Sequence, residues 1–374
     1  MKDIKITDNH DEMTQIGKAL VAEKTAIYNG RTLAAMQKSV AHFMPKASED
    51  EMKNRLCRAI YDYWVYGNTL EEDFYLGFDK LSDIGKREYA TMRRRMDFYA
   101  YLNDLSLAHL FDNKDETYEL FKADYLRDLI AVRDESDFET FAAFVKKHPV
   151  FVAKPNSMST GLGVRKIEMP SGVDMKDFFL GLLREYKGYD GNSPWRKPTT
   201  TIILEELIEQ HEALAALHPA SVNGVRATTV RVGDKVHVYQ PWIKVGAGGT
   251  FVASCVLGGF DMGIDAETGV LDTIGYGEMG EEYFKHPDTG VELKGYQIPQ
   301  WDDLLKLAKK LASSLPKSIN YIGWDFVLTP KGWCVMEGNF RGDFMWQLFR
   351  HRGMLKDFEN LIGWKSEWKF WWEK

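Results

Sequence analysis

Tyr321–Asn339, YIGWDFVLTPKGWCVMEGN, is the stretch on which the fold turns. It reads as two strands around a tight turn. Pro330 and Lys331 suit the central positions of a type I turn, and Gly332 suits the left-handed position that follows. This predicts a three-residue hairpin loop with a glycine bulge. Such a loop sets Thr329 opposite Trp333, and therefore Asp325 opposite Glu337. Asn339, two residues further on, points the same way. Two carboxylates and an amide then converge on one face as hard oxygen ligands, suited to magnesium that also touches phosphate. A polar hairpin face in solvent would carry the same residues, so the rest of the chain has to decide.

A second stretch, Phe151–Val164, reads FVAKPNSMSTGLGV. Lys154 ends a strand, and Ser157, Ser159, Thr160, Gly161 and Gly163 make a small-residue loop before a second strand from Val164. Glycines let backbone N–H groups close on phosphate oxygens, and hydroxyls add donors. No Gly-Lys-Ser/Thr follows and no helix opens there, so this is not a Walker A loop. A flexible lid over a nucleotide fits better than a plain glycine-rich hairpin, because the lysine directly precedes the loop. A third stretch, Ile202–Ile208 (IILEELI), is an apolar strand ending in two acids. Its edge could offer a carbonyl and an N–H to an adenine between aliphatic walls, and Glu212 could reach ribose hydroxyls.

The 374 residues suffice for two or three domains. With 44% apolar and 28% charged residues the composition is that of an ordinary globular protein. A net charge of −7 argues against nucleic acid as the default partner. Cys57, Cys255 and Cys334 lie far apart and form no metal spacing. No run of eighteen apolar residues and no signal-like start is present, so a cytoplasmic protein is expected.

Residues 1–110 read as an N-terminal helical region, with helices expected at Met52–Tyr66 and Gly85–Asn103. Arg93, Arg94 and Arg95 could bind an acidic partner, but a solvated face paired with nearby acids is the preferred reading. Helices are expected from about Glu116, over Asp134–Lys147 with Ser136 as cap, over Asp174–Glu185 and over Trp301–Leu315. Short helices are expected at Glu209–Leu217 and near Asp343–His351. Strands are expected at Val150–Lys154, Val164–Glu168 and Thr199–Glu205, and at VRATTVRV, KVHVYQPWIKV and TFVASCVL between Val225 and Thr273. In the tail, residues 364–374, Trp364, Trp368 and Trp371 share a helical face. Docking of these rings on the core is preferred over a membrane-surface foot.

The ordered set Lys114, Lys154–Gly163, Glu205–Ile208 and Asp325/Glu337/Asn339 resembles the ATP-grasp superfamily, in an arrangement like that of D-alanine–D-alanine ligase. HPASVNGVRATT, the paired Gly258-Gly259, HPDTG and Ile298-Pro299 before Trp301-Asp302 more closely resemble the sugar-transfer-associated ATP-grasp family. The resemblance covers roughly 110–363. It implies an α+β ATP-grasp fold in which two α+β subdomains, 111–200 and 201–363, grip ATP. It implies Lys114 and Lys154 at the ATP phosphates, the Ser157–Gly163 loop over the β- and γ-phosphates, and Glu205, Glu206 and Ile208 at the adenine. Glu212 would hold the ribose, and Asp325, Glu337 and Asn339 two magnesium ions. Lys154 and Arg226 would act in catalysis, Arg226 on a substrate carboxylate or the transferring phosphoryl group. Arg231 has the opposite parity and should face away.

Three departures bear on the acceptor. Val252-Ala253-Ser254 stands where the family tends to show Val-Asp-Asn, Gly323 where peptide-type ligases have arginine, and Phe340-Arg341-Gly342-Asp343 where a proline turn is common. Gly275–Gly280 matches GxGxxG, but EEYFKHPDTG is no apolar helix, so a dinucleotide fold is rejected. His211 and His218 lack the spacing of a helical zinc pair. The implied reaction is carboxylate–amine ligation on small molecules, and the resemblance implies a sugar-linked or cell-surface polysaccharide acceptor. Phosphorylation of a hydroxyl, a nucleotide-binding pseudoenzyme and a membrane-docked scaffold are the other readings.

Overall fold

The computed structural model describes residues 4–23, 33–158, 161–189, 199–342 and 344–367. The chain forms two compact units, one of Met1–Leu102 with Phe344–Lys374 and one of Asn103–Asp343. The first unit is helical, with helices at His10–Glu23, Leu33–Phe43, Glu49–Tyr66, Leu70–Tyr75 and Met92–Leu102, joined by Leu355–Ile362. Ser48 and Glu51 form a reciprocal capping box before Glu49–Tyr66, and Gly67, at φ +72°, ends it. The helix expected from Gly85 starts only at Met92, whose N–H donates to Glu72 Oε2 at 3.0 Å. Arg95 pairs with that same Glu72 at 2.6 Å, so the arginine triplet spends at least one charge inside its own unit. Trp364 stacks on Tyr101, ring centroids 4.3 Å apart. Trp368 and Trp371 lie outside the described residues.

The second unit carries the strands. In chain order they are β1 Leu129–Val132, β2 Val150–Pro155, β3 Arg165–Glu168, β4 Ile202–Glu206, β5 Gly224–Val232, β6 Lys235–Val245, β7 Phe260–Gly263, β8 Gly275–Tyr276, β9 Glu282–Tyr283, β10 Tyr321–Thr329 and β11 Gly332–Asn339. Among the described residues they form a four-stranded sheet, β1-β4-β2-β3, and a seven-stranded sheet, β11-β10-β5-β6-β7-β8-β9, with the neighbouring strands antiparallel. The GxGxxG stretch is thus the small β8–β9 hairpin.

Alternation sets the faces of both sheets. In the small sheet Phe151, Ala153, Ile202 and Leu204 pack with Phe141, Phe144 and Phe179 from the helices Phe138–Lys147 and Met175–Tyr186. Asp134 caps the turn before the first of these, accepting from Ser136 N–H at 2.9 Å, so Ser136 is not the cap. In the large sheet Val225, Ala227, Ile243, Val245, Phe260, Met262, Trp324 and Phe326 pack with Trp301, Leu304, Ala308 and Leu311 of the helix Trp301–Ser314. Arg231 donates to carbonyls at the end of that helix, Pro316 O and Leu315 O at 3.2 Å each, and so turns away from the charged face.

TFVASCVL is not a strand. Gly259 N–H returns to Ser254 O at 2.9 Å and Gly258 N–H to Cys255 O at 3.1 Å, a turn too tight for extended chain. The turn of the β10–β11 hairpin is also one residue tighter than expected. Thr329 pairs with Gly332 and Leu328 with Trp333, and a bulge at Met336 then restores Asp325 opposite Glu337.

Between Glu337 and Asn339 the hairpin needs glycine. A Cβ on Gly338 would lie 2.6 Å from Phe111 Cδ1, while Phe111 packs edge-on against Trp324 at 5.8 Å. Gly338→Ala should therefore lower stability by about 1–3 kcal/mol through overpacking. In denaturant melts, Phe111→Leu in the same chain should recover part of that loss. Additive losses would show that the two sites do not share the strain.

No helix among the described residues is long and apolar enough to cross a membrane.

Candidate active site

The side of the large sheet turned away from the helix Trp301–Ser314 carries buried charge where the other side carries core. Asp325 pairs across the β5–β10 ladder with Arg226. Arg226 Nε lies 2.5 Å from Asp325 Oδ1, and its Nη2 lies 3.0 Å from Oδ2. Lys244 on β6 brings its Nζ to 3.0 Å from the same Oδ2. Burial would raise the Asp325 carboxyl, but Arg226 and Lys244 outweigh it and hold the group far below the usual carboxylate range. Asn339 Nδ2 donates to Gly323 O at 3.2 Å and lies 3.5 Å from both Asp325 Oδ2 and Glu337 Oε1. The three predicted hairpin ligands are therefore together. The donor set, two carboxylates and an amide on one face, fits a hard divalent cation. Gly323 has a steric reason to lack a side chain, since its Cβ would lie 3.2 Å from Arg226 Nη1 and 3.0 Å from Gly342 Cα.

The facing side of the small sheet holds Lys154 and Glu205. Lys154 Nζ lies 2.5 Å from Glu205 Oε1. Arg127, just before β1, reaches Glu205 Oε2 at 3.3 Å. The same guanidinium donates to Val335 O at 2.5 Å and Met336 O at 3.3 Å, the carbonyls at the bulge. Burial alone would raise Glu205, but Arg127 and Lys154 bring it below its ordinary value. Arg127 thus ties the strand of Glu205 to the strand of Glu337.

Lys114 opens the helix Lys114–Tyr125. Its Nζ donates to Met158 O at 2.5 Å and Asn156 O at 3.3 Å, pinning the start of the serine/glycine loop. Burial lowers its pKa, and Glu337 is the strongest opposing influence, with Lys154 and Glu205 also acting on it. Lys114 therefore stands within the fields of both clusters. Asn156 donates to Asp115 Oδ1 at 2.7 Å, and Tyr186 OH donates to Gly163 O at 2.7 Å, so both ends of the loop are anchored. Gly161 and Gly163 have φ of +74° and +72°, which side-chain-bearing residues adopt at a cost. Ser157 is exposed, while Ser159 and Thr160 lie outside the described residues.

Of the residues expected around the adenine, Ile208 packs against the main core and Glu212 sits exposed at the start of the helix Glu212–Leu217. Glu206 faces the other way. Its Oε2 accepts from Asp128 N–H at 3.0 Å, on the face opposite to Lys154 and Glu205. On that far face Asp128, His148 and Glu206 gather beside a pocket of about 450 Å³ that Lys122, Lys147 and Lys331 also line. Asp128 Oδ2 already meets His148 Nε2 at 2.8 Å and also pairs with Lys147.

The histidine motifs are scaffold. His218 Nδ1 lies 2.8 Å from Ser221 Oγ, and His286 stacks on His218 with centroids 5.4 Å apart. His218 Nε2 reaches Gly248 O at 2.9 Å, His286 Nε2 reaches Gly246 O at 2.8 Å, and Gly246 N–H donates to Asn223 Oδ1 at 3.1 Å. HPASVN and HPDTG together hold the Gly246–Gly248 turn that follows β6.

Sequence reading missed Arg127, Lys244, Asn156 and Asp261. Lys244 and Asp261 are charges inside apolar strands, opposite each other in the β6–β7 ladder. That placement is a signal, but it is readable only once the core face is known. Asp261 is 6% exposed, and burial pushes it up to about 6 against the pull of Lys244, Cys255 and Arg226.

These two antiparallel sheets, with a serine/glycine loop on one and a metal-competent hairpin on the other, define an ATP-grasp fold. The sugar-transfer associated ATP-grasp family model matches residues 93–362, well over half of the chain, and the protein belongs to that family. The chain also has similarity to solved structures. D-alanyl-alanine synthetase A from Vibrio cholerae O1 biovar eltor is 11% identical over 68% of this chain and 61% of its own, with a TM-score of 0.38. N5-carboxyaminoimidazole synthase from Aspergillus clavatus, in complex with ADP and its ribonucleotide, is 10% identical over 72% and 57%, TM-score 0.40. Phosphoribosylamine–glycine ligase from Thermotoga maritima is 12% identical over 63% and 49%, TM-score 0.38. The chain thus spans about half to three-fifths of these proteins. No curated protein matches it.

Removing the charge of Asp261 should stabilise the fold in a pH-dependent way. A carboxyl whose folded pKa is raised binds its proton more tightly in the folded state. Its penalty is absent below the unfolded value near 4 and complete above about 6. Thermal melts of Asp261→Asn should match wild type at about pH 4 and exceed it at about pH 8, by up to roughly 2 kcal/mol. A pH-independent difference would contradict the assigned environment.

Proposed function

We propose that this chain is an ATP-dependent carboxylate–amine ligase that works through an acyl phosphate, with a sugar- or cell-surface-polysaccharide-related acceptor. The observation that supports it most is Lys114, whose ammonium feels Glu337 on the hairpin and Glu205 and Lys154 on the small sheet. Within the second unit, residues 111–200 and 201–343 would supply the two halves that grip ATP.

In the first step a carboxylate oxygen attacks the γ-phosphorus and the bond to ADP breaks. Lys154, kept in place by Glu205, and Lys114 face the phosphates and spread the developing negative charge. The Ser157–Gly163 loop, fixed at both ends, excludes water from the acyl phosphate. Arg226, stacked over Trp242 at 5.3 Å, keeps its position beside the reacting oxygens. In the second step the nitrogen of a neutral amine attacks the acyl carbon, the carbon–oxygen bond breaks, phosphate leaves with that electron pair, and the proton the nitrogen sheds goes to the departing phosphate. Asp325, Glu337 and Asn339 would hold magnesium, which supplies charge neutralisation at the phosphates. Glu205, Ile208 and the main chain of Glu206 border the adenine, and Glu212 the ribose.

Calorimetric titration of a non-hydrolysable ATP analogue tests the reading. Binding should require magnesium and weaken at least about tenfold in Glu337→Ala, a loss of about 1.4 kcal/mol. A folded wild type that binds no analogue would remove the enzyme reading. In turnover, ADP with free phosphate marks the ligase, whereas a phosphorylated product marks a kinase.

A further inference from the structure

We propose that Asp261 receives the second substrate, binding the ammonium group of a primary amine beside the phosphate-covering loop. The inference rests on the ligase reading and names the side chain that would select its acceptor.

Four observations place it. Phe260 and Met262 fill the core, so Asp261 between them faces the other side of the sheet, with Asp325, Arg226 and Lys244. Its carboxylate is buried, yet Oδ1 has no hydrogen-bond partner among the described residues. A buried acceptor left unmade is costly, and a carboxylate more than a neutral group. Lys244, its cross-strand neighbour, sends its ammonium to Asp325 instead. The Cys255 thiol, a weak donor, is the hydrogen-bond partner of the carboxyl among the described residues.

The fourth observation is position. Cys255 belongs to the segment that turns back at Gly258-Gly259. The same segment meets the phosphate loop: a Cβ on Gly161 would lie 3.1 Å from Val252 Cγ1 and 3.6 Å from Leu257 Cδ1. Asp261 therefore sits under the chain segment that touches the loop, next to where an acyl phosphate would be held. An anionic oxygen in such a place selects a charge-assisted donor over a neutral one. A primary amine entering as its ammonium satisfies Oδ1 and gives one proton to that carboxylate, which frees the nitrogen lone pair for attack on the acyl carbon; an alcohol satisfies Oδ1 less well. Asp261 also supplies an acid on the acceptor side, where Ala253 has none.

The test uses the full chain with magnesium and ATP. Hydroxylamine first traps acyl phosphates from a panel of amino, hydroxy and uronic acids, read as hydroxamate with ADP. With the acid so found, a panel of primary amines (glycine, alanine, ethanolamine, glucosamine) is compared in wild type, Asp261→Asn and Asp261→Ser. ATP-analogue binding and melting curves confirm that both variants fold. The expected result is a rise of tenfold or more in KM for the amine, an unchanged KM for ATP, and a smaller effect with neutral hydroxylamine. A purely structural role would not separate those parameters. Equal use of the amines by wild type and both variants would overturn the assignment and leave the ligase reading standing. Absence of hydroxamate from wild type with every acid would remove the ligase reading, and this assignment with it.

Discussion

The pairing of Asp325 with Arg226 and Lys244 constrains the large sheet more than any other contact. A buried carboxylate with two cations is tolerable only if both reach it with good geometry. Arg226 does so because β5 and β10 run in register, and Lys244 because β6 continues the same face. A slip of one residue in either ladder would send these charges into the core and Val225, Ala227 and Ile243 into the site. The ion pair and the apolar face therefore specify the same register from opposite sides. The result is an ionised Asp325 whose free directions lie toward Glu337 and Asn339.

Arg127 extends that constraint to the small sheet. A bulge at Met336 frees main-chain carbonyls that a regular ladder would have used, and in a dry interior they need donors. Arg127 supplies them and, with the same guanidinium, meets Glu205, which meets Lys154. An apolar side chain of similar size could fill the space but would orphan both carbonyls and leave Glu205 to Lys154 alone. Nucleotide side and hairpin side are thus joined by one buried cation. Lys114, pinned to the loop, senses the charge of both.

The hairpin ligands were legible because turn chemistry and period-two alternation are local. The expected register reached the correct pairing of Asp325 with Glu337 through two departures that cancel, a shorter turn and an added bulge residue. Nothing in WCVME announces that bulge, since it depends on the distant Arg127. The β-rich stretch before Gly258 was misread because its apolar residues have strand composition, while the paired glycines impose a return that composition does not show. Glu206 was placed at the adenine by its motif, but alternation after the buried Glu205 turns its carboxylate to the opposite face. Residues after Phe344 rejoin the N-terminal helices, a long-range pairing no local pattern encodes.

The division of labour within the unit follows from where its motifs went. Lys114, Lys154, the serine/glycine loop and the hairpin acids, which would treat any ATP alike, lie on the helix Lys114–Tyr125, on the small sheet and on β10–β11. HPASVN and HPDTG, which set the chain apart from a generic ATP-grasp pattern, touch none of these groups. Their histidines and asparagine instead fasten the Gly246–Gly248 turn, from which the segment to Gly259 departs. That segment meets Gly161 on one side and Asp261 on the other. Scaffold of this quality, with two stacked histidines and a buried asparagine, serves to fix the path of the chain that follows it. Acceptor choice is therefore to be sought in residues 249–261, and Asp261 is the charged side chain of that stretch.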